Sequence, residues 1–435
     1  FRAYMRIVLL LLFTILLSSA GAQTDSTAAL WIKPVKDFRV RMTFMNQFFG
    51  YYTMGQEVWN ASANRYDPVD NRINFTWRRS RVVFKGEPYN RLRFTVVLYY
   101  DHIGRDLLSG GVGGTNRDQP NVGIWDAFFQ YRLSSQRDGL VLTFGYFRPQ
   151  MQRESITSAW ATNSFEKSMS QNYVRRHLTG TGPGRAAGLN IGGLIGEGVL
   201  RLNYNAGIFN PLTTGLNGTS VGIRYSPLVA GRVVLSIGDP ELDAYRIGYT
   251  INSFGKRHGL SLDFNASWQG GTDVFSESLA FGPGLLFNWG PLNVDGEWVV
   301  MRREGESPSP DGSGNEVFRA SSATGHIRMG YNIQLGRIML EPTGMWMHFS
   351  GGLSEEEQLN AFQLAAFSGS ETTWNAGVNV YLNKTRLKLA VAYTWRSGDP
   401  GSAADGATVN QFFSQSGVGA IRRGNYFGVG LSSVF

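Results

Sequence analysis

The chain of 435 residues contains no cysteine. That excludes disulfide frameworks, thiolate-ligated zinc, thiol nucleophiles and an N-terminal lipoprotein cysteine. Charge is sparse, with Asp, Glu, Lys and Arg at 17% against about 25% in an ordinary soluble domain. Lysine is scarcest of the four: 7 Lys stand beside 34 Arg among 41 basic residues. Arg presents a planar fork that suits phosphate and carboxylate, whereas Lys is a point charge. Long apolar runs are missing as well. Beyond residue 17 nothing approaches the ~20 apolar residues of a spanning helix, so a helical membrane protein is excluded. Glycine, at 54 residues, and aromatics, at 13%, are abundant instead. This is the composition of many strands with tight turns and aromatic surfaces, not of a disordered chain or a helical bundle.

Residues 1–22 read as a secretory leader. Arg2 and Arg6 form a basic start, Ile7 to Leu17 is apolar, and Ala20-Gly21-Ala22 has the shape of a cleavage site. The apolar run is too short for a membrane anchor. The remainder, 23–435, is expected to be one domain, with a net charge of +6 once the two leader arginines are removed from +8.

That domain repeats one pattern. Segments of about 9–12 residues alternate apolar and other side chains, as strands with one apolar face do. Leu92, Phe94, Val96 and Leu98 alternate with Arg93, Thr95 and Val97. Trp125, Ala127, Phe129 and Tyr131 alternate with Asp126, Phe128, Gln130 and Arg132. Trp374, Ala376, Val378 and Val380 oppose Asn375, Gly377 and Asn379. Short turns such as Gly290-Pro291 alternate with long polar stretches near 50–73, 102–122, 148–185, 304–321, 350–370 and 397–424. Short turns at one end and long loops at the other are the rhythm of an outer-membrane barrel. The last segment, Tyr426 to Phe435, keeps Phe427, Val429, Leu431 and Phe435 on one parity. The expected fold is all-β: a transmembrane antiparallel up-and-down barrel of 16 to 18 strands. The larger number holds if Arg232–Ile237 and Tyr245–Ile251 form a pair. Closure is required, because an open strand edge in lipid leaves backbone groups unsatisfied.

The polar parity carries Arg39, Arg41, Arg93, Arg132, Arg201, Arg224 and Arg328. An Arg on the lipid face at mid-membrane costs about 2–4 kcal/mol, so these seven are expected inside. Rings of Arg in a pore select anions. The alternative is that they pair with Asp126, Asp263, Asp295 or Glu297 and brace the wall. Near Arg78-Arg79-Ser80-Arg81 the parity is ambiguous, and a bulge or a membrane-edge position would relieve it. Asn163 to Met169 is a candidate short helix in a loop able to fold inward. Ser354 and Glu357 resemble a capping box with Leu359, Phe362 and Ala366 on one helical face. Signals for enzymes and metals are weak: no His-Glu-x-x-His, Gly-x-Ser-x-Gly or phosphate-binding Gly-Lys loop occurs. Asp311 to Glu316 does not complete a calcium loop. No catalytic residue, metal or cofactor is expected.

Segment 78–191 resembles the phosphate-selective porin family, the group of porins O and P. The matching stretches are Arg78-Arg79-Ser80-Arg81 leading to Lys85-Gly86, Trp125 to Tyr131, Gly145-Tyr146-Phe147-Arg148-Pro149 with Glu154, Phe165-Glu166-Lys167-Ser168, and Gly184-Arg185-Ala186-Ala187-Gly188. The resemblance implies a sixteen-stranded, usually trimeric porin with a basic pore and an inward-folded loop. It adds Arg78, Arg79 and Arg185 as candidate pore residues. The family's phosphate-specific members are described by lysine clusters as well as arginines, and seven Lys is few.

The expected function is a passive channel for small anions, phosphate among them, in the outer membrane of a Gram-negative bacterium. Expected partners are outer-membrane lipid, the barrel assembly machinery and two further copies in a homotrimer; nucleic acid is not expected. The alternative is a barrel whose long external loops carry an adhesive or hydrolytic function. A transporter with a plug is disfavoured, because the first strand is reached by about residue 38.

Overall fold

A computed structural model of the chain describes residues 35–106, 108–109, 122–134, 138–211, 222–308, 315–399, 401, 414–415 and 419–435. The leader, the Gly-rich stretch 110–114 and Asp311 lie outside them. Sixteen strands form the wall: β1 (Val40–Met54), β2 (Arg72–Tyr89), β3 (Leu92–Ile103), β4 (Gly123–Arg132), β5 (Val141–Phe147), β6 (Ala186–Ile195), β7 (Leu200–Phe209) and β8 (Leu228–Gly238). They continue as β9 (His258–Gln269), β10 (Glu277–Trp289), β11 (Leu292–Pro308), β12 (Asn315–Tyr331, prolonged by Ile333–Leu335), β13 (Ile338–Ser350), β14 (Ser370–Asn383), β15 (Leu387–Asp399) and β16 (Asn425–Val434). Each pairs antiparallel with the next, and β16 pairs back onto β1 from Met45↔Val434 to Met54↔Asn425. The wall is closed, as backbone satisfaction in lipid demands.

Alternation sorts the side chains as the sequence predicts. On β16, Phe427, Val429 and Leu431 are exposed on the outer face; on β14, Trp374, Val378 and Leu382 are. On β12, Ile327 and Met329 face out while Thr324, His326 and Arg328 are buried inside. Of the uncertain strand pair, Arg232–Ile237 lies within β8, but Tyr245–Ile251 is not a wall strand. The count is therefore 16. Residues 239–257, at the short-turn end, run inward instead. The Tyr245 hydroxyl donates to Asn205 Oδ1 at 2.6 Å, and the Tyr249 hydroxyl to Asn203 Oδ1 at 2.9 Å.

Residues 148–185 enter from the long-loop end with two helices, α1 (Arg153–Ile156) and α2 (Ser170–Thr179). Asn163 to Met169 is not helical; the helical turns lie on either side of it. Helix α2 ends at Gly180, whose φ of 71° permits the left-handed cap returning its N–H to the Arg176 carbonyl. Its apolar side chains meet the inner wall: Tyr173 stacks on Phe349 at 3.7 Å, with Phe367 edge-on at 5.1 Å. Phe165 stacks on Phe49 at 4.6 Å and sits over Gly428 and Gly430, where a side chain on either glycine would collide with a ring. The inward loop and the inward turn meet where the Ile251 N–H donates to the Ala161 carbonyl at 3.1 Å. The expected capping box is formed: Ser354 caps α3 (Glu355–Gln363) with Glu357 reciprocating.

Candidate functional site: a basic cavity inside the barrel

Two strand irregularities build the site. Between β1 and β2 the register runs Gln47↔Arg79 and then Phe48↔Trp77, leaving Arg78 as an extra residue. Ile73, Phe75 and Trp77 therefore face outward, while Arg78, Arg79 and Arg81 are all buried inside. The parity conflict in the Arg78–Arg81 stretch is resolved by this bulge, since an inserted residue reverses the phase of a strand. A second bulge between β3 and β4 skips from Val97↔Asp126 to Leu98↔Ile124. It brings Trp125, placed by strict alternation on the apolar face, to line the interior beside Asp126.

Glu166 of the inward loop meets the first bulge. Its carboxylate accepts from Arg78 Nε at 2.5 Å, Arg79 Nη2 at 2.8 Å and the Tyr51 hydroxyl at 3.0 Å. Burial acts to raise the Glu166 carboxyl, but the Arg78 and Arg79 guanidiniums hold it down to about 2. Arg81 pairs with Asp101, and Arg185 with Asp126 at 3.2 Å. Three further basic groups of the loop bond to neutral atoms. Arg148 and Arg175 donate to the Ser155 carbonyl at 2.8 and 2.6 Å, and Lys167 donates to the carbonyls of Glu154 and Thr157. Burial, then the nearby Arg175, pushes the Lys167 ammonium well below its usual value.

These groups surround a cavity of about 880 Å³ between the wall of β1–β4, the inward loop and residues 246–250. Among the described residues, eleven Lys and Arg side chains line it against two carboxylates, Asp101 and Asp126. Arg41, Lys85 and Arg246 line it as exposed residues. The opposite wall is different, because its charges cancel. Arg328 donates to Asp295 Oδ2 at 2.7 Å and Glu154 Oε2 at 2.8 Å. Arg153 and Arg232 share Asp263 at 2.7 and 3.0 Å. Glu154, Asp295 and His326 offer ligand atoms close enough for a cation, but the Arg328 guanidinium already bridges both carboxylates.

Of the arginines expected at a pore, the cavity gathers Arg41, Arg78, Arg79 and Arg185. Arg93 and Arg132 instead share Asp138 at 3.6 and 3.8 Å. Arg201 is half-buried on β7 opposite Ser236. Arg328 is sealed in its ion pairs. Arg39 is exposed one residue before β1, and Arg224 is exposed in the segment preceding β8. Neither of these two sits on a strand, so the parity argument does not apply to them. The cavity also holds Arg81, Lys85, Arg148, Lys167, Arg175, Arg176 and Arg246. Arg81, Lys85, Arg148 and Lys167 fall inside the sequence stretches that carry the family resemblance, which was their available signal.

The solved structures most like this fold include the outer membrane channel DcaP of Acinetobacter baumannii and an anion-selective porin from Comamonas acidovorans. The first is 13% identical with a TM-score of 0.51, covering 93% of this chain and 99% of its own. The second is 13% identical with a TM-score of 0.53, covering 92% and 100%. At that identity they bear on the fold. No curated protein matches the chain. The model of the family described as phosphate-selective porin O and P matches residues 53–412. The chain belongs to the phosphate-selective porin O and P family and is a closed sixteen-stranded channel of the Gram-negative outer membrane.

Proposed function

We propose that the channel passes small anions by passive diffusion, with the inward loop 148–185 narrowing the path. The observation that carries this reading is the charge of the cavity: among the described residues, eleven Lys and Arg side chains against two carboxylates. Field lines in a low-dielectric cleft of one sign raise the local concentration of the opposite ion. The anion meets several sites in series and is free to leave, so no bond-making step is needed. Inorganic phosphate fits the Arg forks, in keeping with the family and with the anion-selective porin of Comamonas acidovorans that shares the fold. We further propose removal of a leader at 1–22, assembly by the barrel machinery into outer-membrane lipid, and a homotrimer. The test is the reversal potential in a planar bilayer under a potassium chloride gradient. Anion preference at low salt is expected. Cation preference would return the arginines to a bracing role.

A further inference from the structure

The basic cavity is also aromatic, and the anion reading does not use that. Trp125 and Tyr99 line it with half-buried rings, their centroids 5.1 Å apart. The guanidinium carbons of Arg185 and Arg81 lie 3.8 and 4.0 Å from the Trp125 ring. Trp160 adds a third ring, fixed by its Nε1 donating to the Asn46 carbonyl at 3.2 Å. A hydrated inorganic anion gains nothing from an indole face, since N–H donors are its ligands. Plain alternation would have put Trp125 in lipid, where indoles are welcome. The bulge between Val97↔Asp126 and Leu98↔Ile124 turns it inward instead, and re-aiming a side chain is a recognised use of such bulges.

We infer that the preferred solutes of this cavity are planar aromatic anions, in which a phosphate or carboxylate head is joined to a ring. The inference rests on the anion-channel reading above. The head group takes N–H donors from Arg148, Arg175 and Lys167, whose hydrogen-bond partners are neutral backbone carbonyls and the Ser155 hydroxyl. The ring extends the row made by Tyr99, Trp125 and the guanidiniums laid against it. The cavity of about 880 Å³ has room for such a molecule, where inorganic phosphate fills a small part of it.

The experiment compares phenyl phosphate with methyl phosphate as blockers of single-channel chloride current, two probes with the same head group. Stacking of this kind corresponds to a roughly 2- to 12-fold lower half-blocking concentration for phenyl phosphate. Trp125→Leu should abolish that advantage and Trp125→Phe should retain most of it. Tyr99→Leu serves as the second variant if Trp125→Leu fails to assemble. Equal block by the two probes in the unaltered protein, with an anionic reversal potential, overturns this inference and leaves the anion channel standing. A cationic reversal potential overturns both. A phenyl advantage undiminished in both Trp125→Leu and Tyr99→Leu also overturns it, since the rings would not be its source.

Discussion

Arg328 and Arg41 carry the same charge in opposite settings. Arg328 is fully buried, held by Asp295, Glu154 and the Ser164 hydroxyl. Removing one partner of a buried ion pair costs about 3–5 kcal/mol, because the charges left behind stay desolvated. Arg328→Ala should therefore lower the temperature at which the barrel loses its folded electrophoretic mobility. Arg41→Ala and Arg246→Ala, at exposed cavity positions, should leave that temperature alone and move the reversal potential toward potassium. The opposite pattern would defeat the division between bracing and conducting arginines. Glu166 gives a second, pH-dependent expectation. Its docked carboxyl titrates at about 2, below the ordinary 4.5, so docking is favoured above pH 4.5. That contribution is lost as pH falls from 4.5 through 2. Conductance should match at pH 7 and pH 5 and rise toward pH 2 as the loop releases; a rise already complete by pH 5 would contradict the pairing.

At the scale of elements, the docking of Phe165 depends on bare backbone. A Cβ on Gly428 would lie 2.6 Å from its ring. Gly428→Val should displace the loop from β16 and increase single-channel conductance without opening the wall, since the register with β1 and β15 involves backbone alone. Unchanged conductance would mean the loop is held elsewhere. Wall strands were legible in the sequence because each has one face in lipid and one in water, a contrast that period-two alternation records. The bulges were not, because one inserted residue looks like a lapse in the pattern; strict alternation therefore places Trp125 outward. The segment Tyr245, Ile247, Tyr249, Ile251 alternates as regularly as any strand. Alternation reports an extended chain with two different faces. It does not say whether the face with Tyr245 and Tyr249 meets lipid or, as here, the inner wall, where their hydroxyls reach Asn205 and Asn203. The cavity was half legible: Arg78, Arg79 and Arg185 came from motif resemblance and Arg41 from parity. Arg175, Arg176 and Arg246 lie off the wall strands, so parity could not reach them.

For the whole molecule, positive charge is in excess on one side of the lumen and balanced by carboxylates on the other. Selectivity should consequently decline as salt rises and the Debye length falls below its ~8–10 Å in ordinary buffers. A selectivity independent of salt would point to a steric filter instead. The junction of the inward loop with the inward turn has a separate consequence, for electrical noise. Glu341 Oε1 accepts from Asn163 of the loop at 3.2 Å and from Asn252 of the turn at 2.9 Å. Its other oxygen accepts from the Tyr381 hydroxyl at 2.6 Å and Asn379 at 3.0 Å. One buried carboxylate thus ties both inward segments to the wall, and packed parts with satisfied polar groups interconvert slowly and rarely. The open channel should carry a steady current with little flicker. Glu341→Gln, which replaces an acceptor with a donor facing other donors, should turn that steady level into rapid partial closures with the mean current barely changed.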